Sequence, residues 1–230
     1  MKTIGLIGGM SWESTIPYYR IINETVKQQL GGLHSAKIVL YSVNFAEIER
    51  MQRAGDWHAA GKLLADAATR LEAAGADFIV LCTNTMHKVA TAIENATTLP
   101  LLHIADATAL AVNAAGYKTV GLLGTKFTME QPFYTAQLKE QHGLNVLVPN
   151  EAARQQVHQI IYNELCLGKV LAESKEQYRQ IITELVAQGA EAIILGCTEI
   201  SLLVSQQDSQ APLFDTTSIH AQSAAELALG

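Results

Sequence analysis

Cys197 and Thr83 hold matching places in two related stretches of the chain. The first reads Gly75-Ala-Asp-Phe-Ile-Val-Leu-Cys-Thr-Asn-Thr-Met-His-Lys88, the second Gly189-Ala-Glu-Ala-Ile-Ile-Leu-Gly-Cys-Thr-Glu-Ile200, and their Gly-Ala pairs lie 114 residues apart. At that offset Cys197 falls on Thr83. Two proton-transfer groups on opposite sides of a carbon are what inversion of a stereocentre needs, because one removes a proton and the other delivers one to the opposite face. A thiol suits the first task, since a cysteine at a helix N-terminus has its pKa lowered from about 8.5 towards neutrality by the backbone N–H groups and the helix dipole. A threonine hydroxyl is too weak an acid to supply a standing base at neutral pH. The pair therefore reads as Cys197, the base, and Thr83, a proton donor acting directly or through water.

The elements that must carry this pair follow from the flanking sequence. Each stretch runs from a Gly-Ala-acidic turn into a short β-rich apolar run, then into small polar residues where a strand ends and a helix begins. Lys118-Thr-Val-Gly-Leu-Leu-Gly124 matches Lys2-Thr-Ile-Gly-Leu-Ile-Gly8, and Ala211-Pro-Leu-Phe-Asp215 matches Leu99-Pro-Leu-Leu-His103. Three anchors at nearly constant offset mark an internal duplication. The pattern predicts strands over 3–7, 37–43, 78–82, 99–103, 118–124, 145–148, 192–195 and 211–215. Helices are expected after Ser11, with Ser14 or Thr15 as cap and Pro17 in the first turn, and over 59–74, 86–95, 154–167 and 174–188, with a helix or turn over 45–55.

Strands alternating with helices give an α/β protein of two pseudo-symmetric lobes, each a short parallel sheet flanked by helices, with the active site expected in the cleft between them. The expected N-terminal lobe is 1–103 plus 216–230 and the C-terminal lobe 104–215, joined near 103–117 by a helix. In such sheets the chemistry sits at the carboxyl ends of the strands. Gly5, Gly8 and Gly9 do not make a GxGxxG dinucleotide motif, and their turn points to positive φ or a close backbone approach.

Composition excludes several classes. The 230 residues are 49% apolar and 17% charged, the signature of a well-buried globular chain, and no Lys/Arg run accompanies the net charge of −6. Neither nucleic acid nor an anionic membrane is an expected partner. The apolar start is too short and too glycine-broken for a signal peptide or membrane helix, so a cytoplasmic location is expected. Three cysteines without CxxC spacing read as reduced thiols, and no metal set is expected.

Lys2-Thr-Ile-Gly-Leu-Ile-Gly-Gly-Met10, Thr83-Asn-Thr-Met-His87 and Gly189-Ala-Glu-Ala-Ile-Ile-Leu-Gly-Cys-Thr-Glu199 resemble the cofactor-independent aspartate/glutamate racemases over essentially the full chain. Within that family the sequence is most similar to the broad-specificity and L-aspartate/L-glutamate-preferring members. The resemblance implies a homodimer that racemises a small amino acid through two cysteines with no cofactor, neither pyridoxal phosphate nor metal. It also implies that Cys197 acts on the L-enantiomer, and that Asn84, Thr85, Thr198 and Glu199 bind the substrate's carboxylate and ammonium. Met10 is implied to contribute its backbone, and Gln52 to read the distal carboxylate.

Two departures stand out. Where most members have Pro-Cys-Asn-Thr this chain has Cys82-Thr83-Asn84-Thr85, and Cys166 occupies the place where many aspartate racemases carry lysine. Adjacent strand residues face opposite ways, so two readings of Cys82 stay open, a buried core residue or a substitute base. His87 likewise reads either as a structural hydrogen-bonder or as a group that tunes its neighbours. Two other functions fit the residues: decarboxylation or isomerisation of a small diacid on the same scaffold, and an inactive sensor of acidic amino acids.

Overall fold

The structure, a computed structural model, describes residues 1–230. In chain order it runs β1 (Thr3–Gly8), α1 (Trp12–Leu30), β2 (Lys37–Ser42), α2 (Phe45–Ala54), α3 (Trp57–Ala73), β3 (Phe78–Leu81), α4 (Ala90–Glu94) and β4 (Leu101–Leu102). It continues with α5 (Ile104–Ala114), β5 (Thr119–Gly124), α6 (Lys126–Glu130), α7 (Pro132–Ala136), β6 (Asn145–Leu147), α8 (Glu151–Asn163), α9 (Ala172–Ala187), β7 (Ala192–Gly196), β8 (Leu213–Asp215) and α10 (Thr216–Leu229). The chain forms two compact units, Met1–Ile104 with His220–Gly230, and Ala105–Ile219.

Each unit holds a four-stranded, all-parallel sheet, in the orders β2-β1-β3-β4 and β6-β5-β7-β8. Identical strand order in both is the structural form of the duplicated sequence. The acidic residue of each Gly-Ala-acidic turn has the same task. Asp77 Oδ2 accepts from Thr3 N at 2.6 Å, and Glu191 Oε2 accepts from Lys118 N at 2.8 Å and Thr119 N at 2.7 Å. Asp77 N and Glu191 N donate in return to Thr3 O and Thr119 O, both at 2.8 Å. The turn glycines take φ of 86° at Gly75 and 103° at Gly189, a region only glycine enters freely.

In the first unit the strand pleat sorts side chains between two apolar layers. Ile4, Leu6, Phe78, Val80 and Cys82 pack with Tyr18, Ile22 and Val26 of α1 and with Ala221, Ala224, Ala225 and Ala228 of α10. Ile7, Ile79 and Leu81 pack on the other face with Ile48 of α2 and Leu64, Ala67, Ala68 and Leu71 of α3. A sheet covered on both faces reads as a continuous apolar run, which explains the absence of polar alternation in Phe78–Leu81. Each fully buried Leu or Ile contributes roughly 1.5–3 kcal/mol.

The structure corrects several local expectations. Helix α1 starts at Trp12 after Ser11, and Pro17 lies inside it rather than in the first turn. Ser14 and Thr15 do not cap it; their hydroxyls donate to Ser11 O at 3.0 and 2.9 Å, and Thr15 Oγ1 accepts from Gly9 N at 2.9 Å, which ties the glycine turn to the helix. Strand β3 ends at Leu81 because Thr83 N turns back to donate to Leu81 O at 2.8 Å. The helix expected over 86–95 is a 3-10 turn, Thr85–Val89, followed by α4, and that over 154–167 is α8 followed by a 3-10 turn at Leu165–Leu167. The short helices α6 and α7 went unread, since five residues carry no apolar period. No helix is long and apolar enough to cross a membrane.

Candidate active site

Thr83 and Cys197 each follow the carboxyl end of the strand that lies third in its sheet, β3 and β7. In the first unit the turn after β3 buries Thr83, Asn84 and Thr85. Asn84 opens the 3-10 turn Thr85–Val89 without a side-chain cap bond. Cys82 points the other way: it is fully buried in the layer under α1 and α10, its Sγ sits 3.7 Å from Val80 O, and burial pushes its thiol well above the ordinary range. Gln52, on α2, is buried and donates from Nε2 to Met86 Sδ at 3.0 Å, and the Met10 side chain lies in the same apolar layer as Met86.

Three imidazoles gather next to this turn. His87 stands 4.4 Å from His103 and 6.1 Å from His220, centroid to centroid. His220 Nδ1 is 2.8 Å from Tyr18 Oη, and its Nε2 is 2.8 Å from Leu102 O. A carbonyl only accepts, so Nε2 carries the hydrogen and Nδ1 accepts from the tyrosine. Burial pushes the His220 pKa down to about 4, and burial, then the neighbouring His103 and His220, hold that of His87 well below the usual range. No group of three or more His, Cys, Asp or Glu side chains is arranged to hold a metal ion.

In the second unit Cys197, Thr198 and Glu199 follow β7 directly and are all buried. Glu199 Oε2 accepts from Cys197 Sγ at 3.1 Å and from Thr198 Oγ1 at 2.8 Å. The expected lowering of the thiol pKa is overturned. Burial first, then the charge of Glu199 and the proximity of Cys166, raise it well above the ordinary value. The helix after the motif is a single turn, Ile200–Leu202, whose dipole is too short to offset desolvation. Cys197 is therefore a thiol beside a carboxylate that accepts its hydrogen bond.

Tyr178 escaped the sequence reading, because on α9 it sits among Ser174, Ile181, Ile182 and Leu185 as one more buried position of an amphipathic helix. Its phenol is held well above its usual pKa by burial and then by Cys197, Glu164, Cys166 and Glu199, which places these groups in one electrostatic neighbourhood. Cys166 is half-buried on the turn after α8.

Residues 7–224 match the family model described as Asp/Glu/Hydantoin racemase. The chain belongs to the Asp/Glu/hydantoin racemase family. It is 27% identical, over 96% of its length and 95% of the relative's, to the broad specificity amino-acid racemase RacX of Bacillus subtilis. It is 60% identical to a Yersinia pestis protein provisionally described as an Asp/Glu racemase, with full coverage of both chains and a TM-score of 0.93. An aspartate racemase homologue from Pyrococcus horikoshii, PH1733, is 37% identical with full coverage of both chains and a TM-score of 0.85. Membership of this family makes the chain an isomerase of the racemase class, with the two-sheet α/β fold of its relatives.

Proposed function

We propose that this racemase inverts Cα of aspartate and glutamate without a cofactor, with Cys197 as the base on one face and Thr83 as the donor on the other. The observation that carries the reading is the buried Cys197–Glu199 pair at the end of β7, in the place that the repeat equates with Thr83. Glu199 takes the thiol proton, and the resulting thiolate removes the Cα proton of the L-enantiomer. The carbanion takes a proton from the Thr83 hydroxyl, which regains one from water. Glu199 then releases to solvent the proton it took, while Cys197, having gained the Cα proton, is a thiol again, so no proton is gained or lost in a turnover. The buried polar groups of Asn84, Thr85 and Thr198 supply hydrogen bonds to the substrate's carboxylate and ammonium, with Met10 and Gln52 beside them.

The distal carboxylate meets no lysine at position 166, where the half-buried Cys166 stands. That substitution, with the likeness to a relative named for broad specificity, supports a substrate range extending to other amino acids. A homodimer is also proposed. Trp12, Ile16 and Tyr19 of α1 and Leu40 of β2 line an exposed apolar hollow of about 270 Å³, the kind of surface that marks an interaction site.

The test is incubation with L- and with D-aspartate in deuterated water, following Cα deuteration and chirality, with Cys197→Ser alongside. Deuteration and inversion that vanish in the variant support the reading. Loss of substrate mass, or thermal stabilisation without exchange, points to a lyase or a sensor instead.

A further inference from the structure

The imidazole of His87 bridges two backbone groups. Its Nδ1 lies 2.7 Å from Thr83 O and its Nε2 lies 3.2 Å from Ile104 N. An amide N–H only donates, so Nε2 carries the lone pair; Nδ1 must then carry the hydrogen and donate to Thr83 O. A single neutral tautomer satisfies both contacts. The side chain is 3% exposed, and protonating Nε2 would break its bond to Ile104.

The consequence falls on Thr83. Its N–H is already committed to Leu81 O at 2.8 Å, so with its C=O held by His87 both of its backbone polar groups are fixed. The hydroxyl keeps rotation about χ1 and about its own C–O bond. The second unit is built differently. The repeat places Ser201 opposite His87, and its Oγ only approaches Thr198 O at 3.5 Å, while Cys197 is held through its side chain by Glu199. One half of the duplication thus secures its reactive side chain with a carboxylate, and the other secures its reactive residue through the backbone.

We propose that His87 is a positioning residue, whose Nδ1–H clamp on the Thr83 carbonyl aims the Thr83 hydroxyl for proton delivery to the substrate carbon. This rests on the racemase reading above. Cys197 alone can remove a proton from the L-substrate and return a deuteron to the same face, so exchange with retention does not need Thr83, whereas inversion does. Misaiming the hydroxyl therefore changes the ratio of inversion to exchange, which a general loss of fold does not.

Two near-isosteric variants separate the two bonds. His87→Asn keeps a donor at the place of Nδ1, and His87→Gln keeps an acceptor at the place of Nε2. With L-aspartate in deuterated water, His87→Gln is expected to lower the inversion-to-exchange ratio by about tenfold or more, the scale of an ångström-level misplacement, with KM little changed. His87→Asn is expected to stay within about threefold of the parent, and circular dichroism verifies that both are folded. Long-range ¹H–¹⁵N correlation on the parent is expected to show His87 protonated at Nδ1 only, between about pH 5 and about pH 8. Equal ratios in parent and both variants, or a hydrogen on Nε2, would overturn the clamp while leaving the racemase reading intact. A parent protein that neither exchanges nor inverts any amino acid would overturn both.

Discussion

Glu199 Oε2 accepts hydrogen bonds from Cys197 Sγ at 3.1 Å and from Thr198 Oγ1 at 2.8 Å, so one carboxylate oxygen holds the thiol and its neighbour together. Burial raises the thiol pKa, and the charge of that oxygen raises it further. A standing thiolate is thus disfavoured in the free protein.

Removing that charge has a defined sign. In Glu199→Gln the repulsion between carboxylate and thiolate disappears while burial remains, so Cys197 should titrate at lower pH than in the parent. Alkylation rate against pH, measured in a Cys166→Ala background, checks this. Racemisation should nevertheless fall, by about 10²-fold or more, because the group that accepts the thiol proton is gone. An alkylation profile shifted upward would contradict the role given to Glu199.

The two neighbours after β3 should behave in opposite ways. Cys82 lies in the apolar layer under α1 and α10, so Cys82→Ala should retain inversion within a few-fold, while Cys82→Ser should lose about 1–2 kcal/mol of stability by burying a hydroxyl. Thr83→Cys places a thiol where the repeat implies one, and should raise the initial rate from D-aspartate relative to that from L-aspartate. Chiral chromatography of initial rates and urea unfolding are the measurements.

The histidine cluster predicts acid sensitivity. The pKa of His220 is about 4 in the folded chain against 6.5 when exposed, so between these values the unfolded chain binds more protons. Stability from this residue is complete above about pH 6.5 and declines as pH falls to about 4, by on the order of 3 kcal/mol in all. His220→Gln should flatten that part of the unfolding profile, and Tyr18→Phe should cost about 1–3 kcal/mol at neutral pH by leaving Nδ1 without its donor. Urea midpoints at a series of pH values decide it.

If the hollow on α1 is the self-association surface, Ile16→Glu together with Tyr19→Glu should convert a dimer to a monomer in sedimentation velocity with the fold retained, since both side chains are more than half exposed. An unchanged sedimentation coefficient would remove this face from consideration.

Much of the fold was legible because the duplication writes it twice. Matching Gly-Ala-acidic turns, apolar runs and post-strand polar residues specify two parallel sheets, and the period of two in the strand sets Cys82 and Thr83 on opposite faces without saying which of them is buried in the core. What stayed hidden depends on tertiary burial. The direction of the Cys197 shift required knowing that desolvation and Glu199 outweigh a one-turn helix. The grouping of His87, His103 and His220 required knowing that α10 returns to the first sheet. Tyr178 was masked by its own helix, whose apolar spacing gives a phenol and an isoleucine the same signature.

That return of α10 bears on how the chain is made. Ala221, Ala224, Ala225 and Ala228 complete the layer formed by Ile4, Leu6 and Phe78, and Lys2 N bonds to Ala228 O at 2.8 Å. The unit that contains β1 therefore cannot close its core until α10, which is made after the whole of the second unit, has left the ribosome. The unit spanning Ala105–Ile219 is continuous and has no such wait. Vectorial synthesis ordinarily lets the N-terminal part of a protein fold first; here the later-made half is the first that can finish, and the earlier half must stay open, with an apolar sheet face awaiting cover, until its final helix arrives.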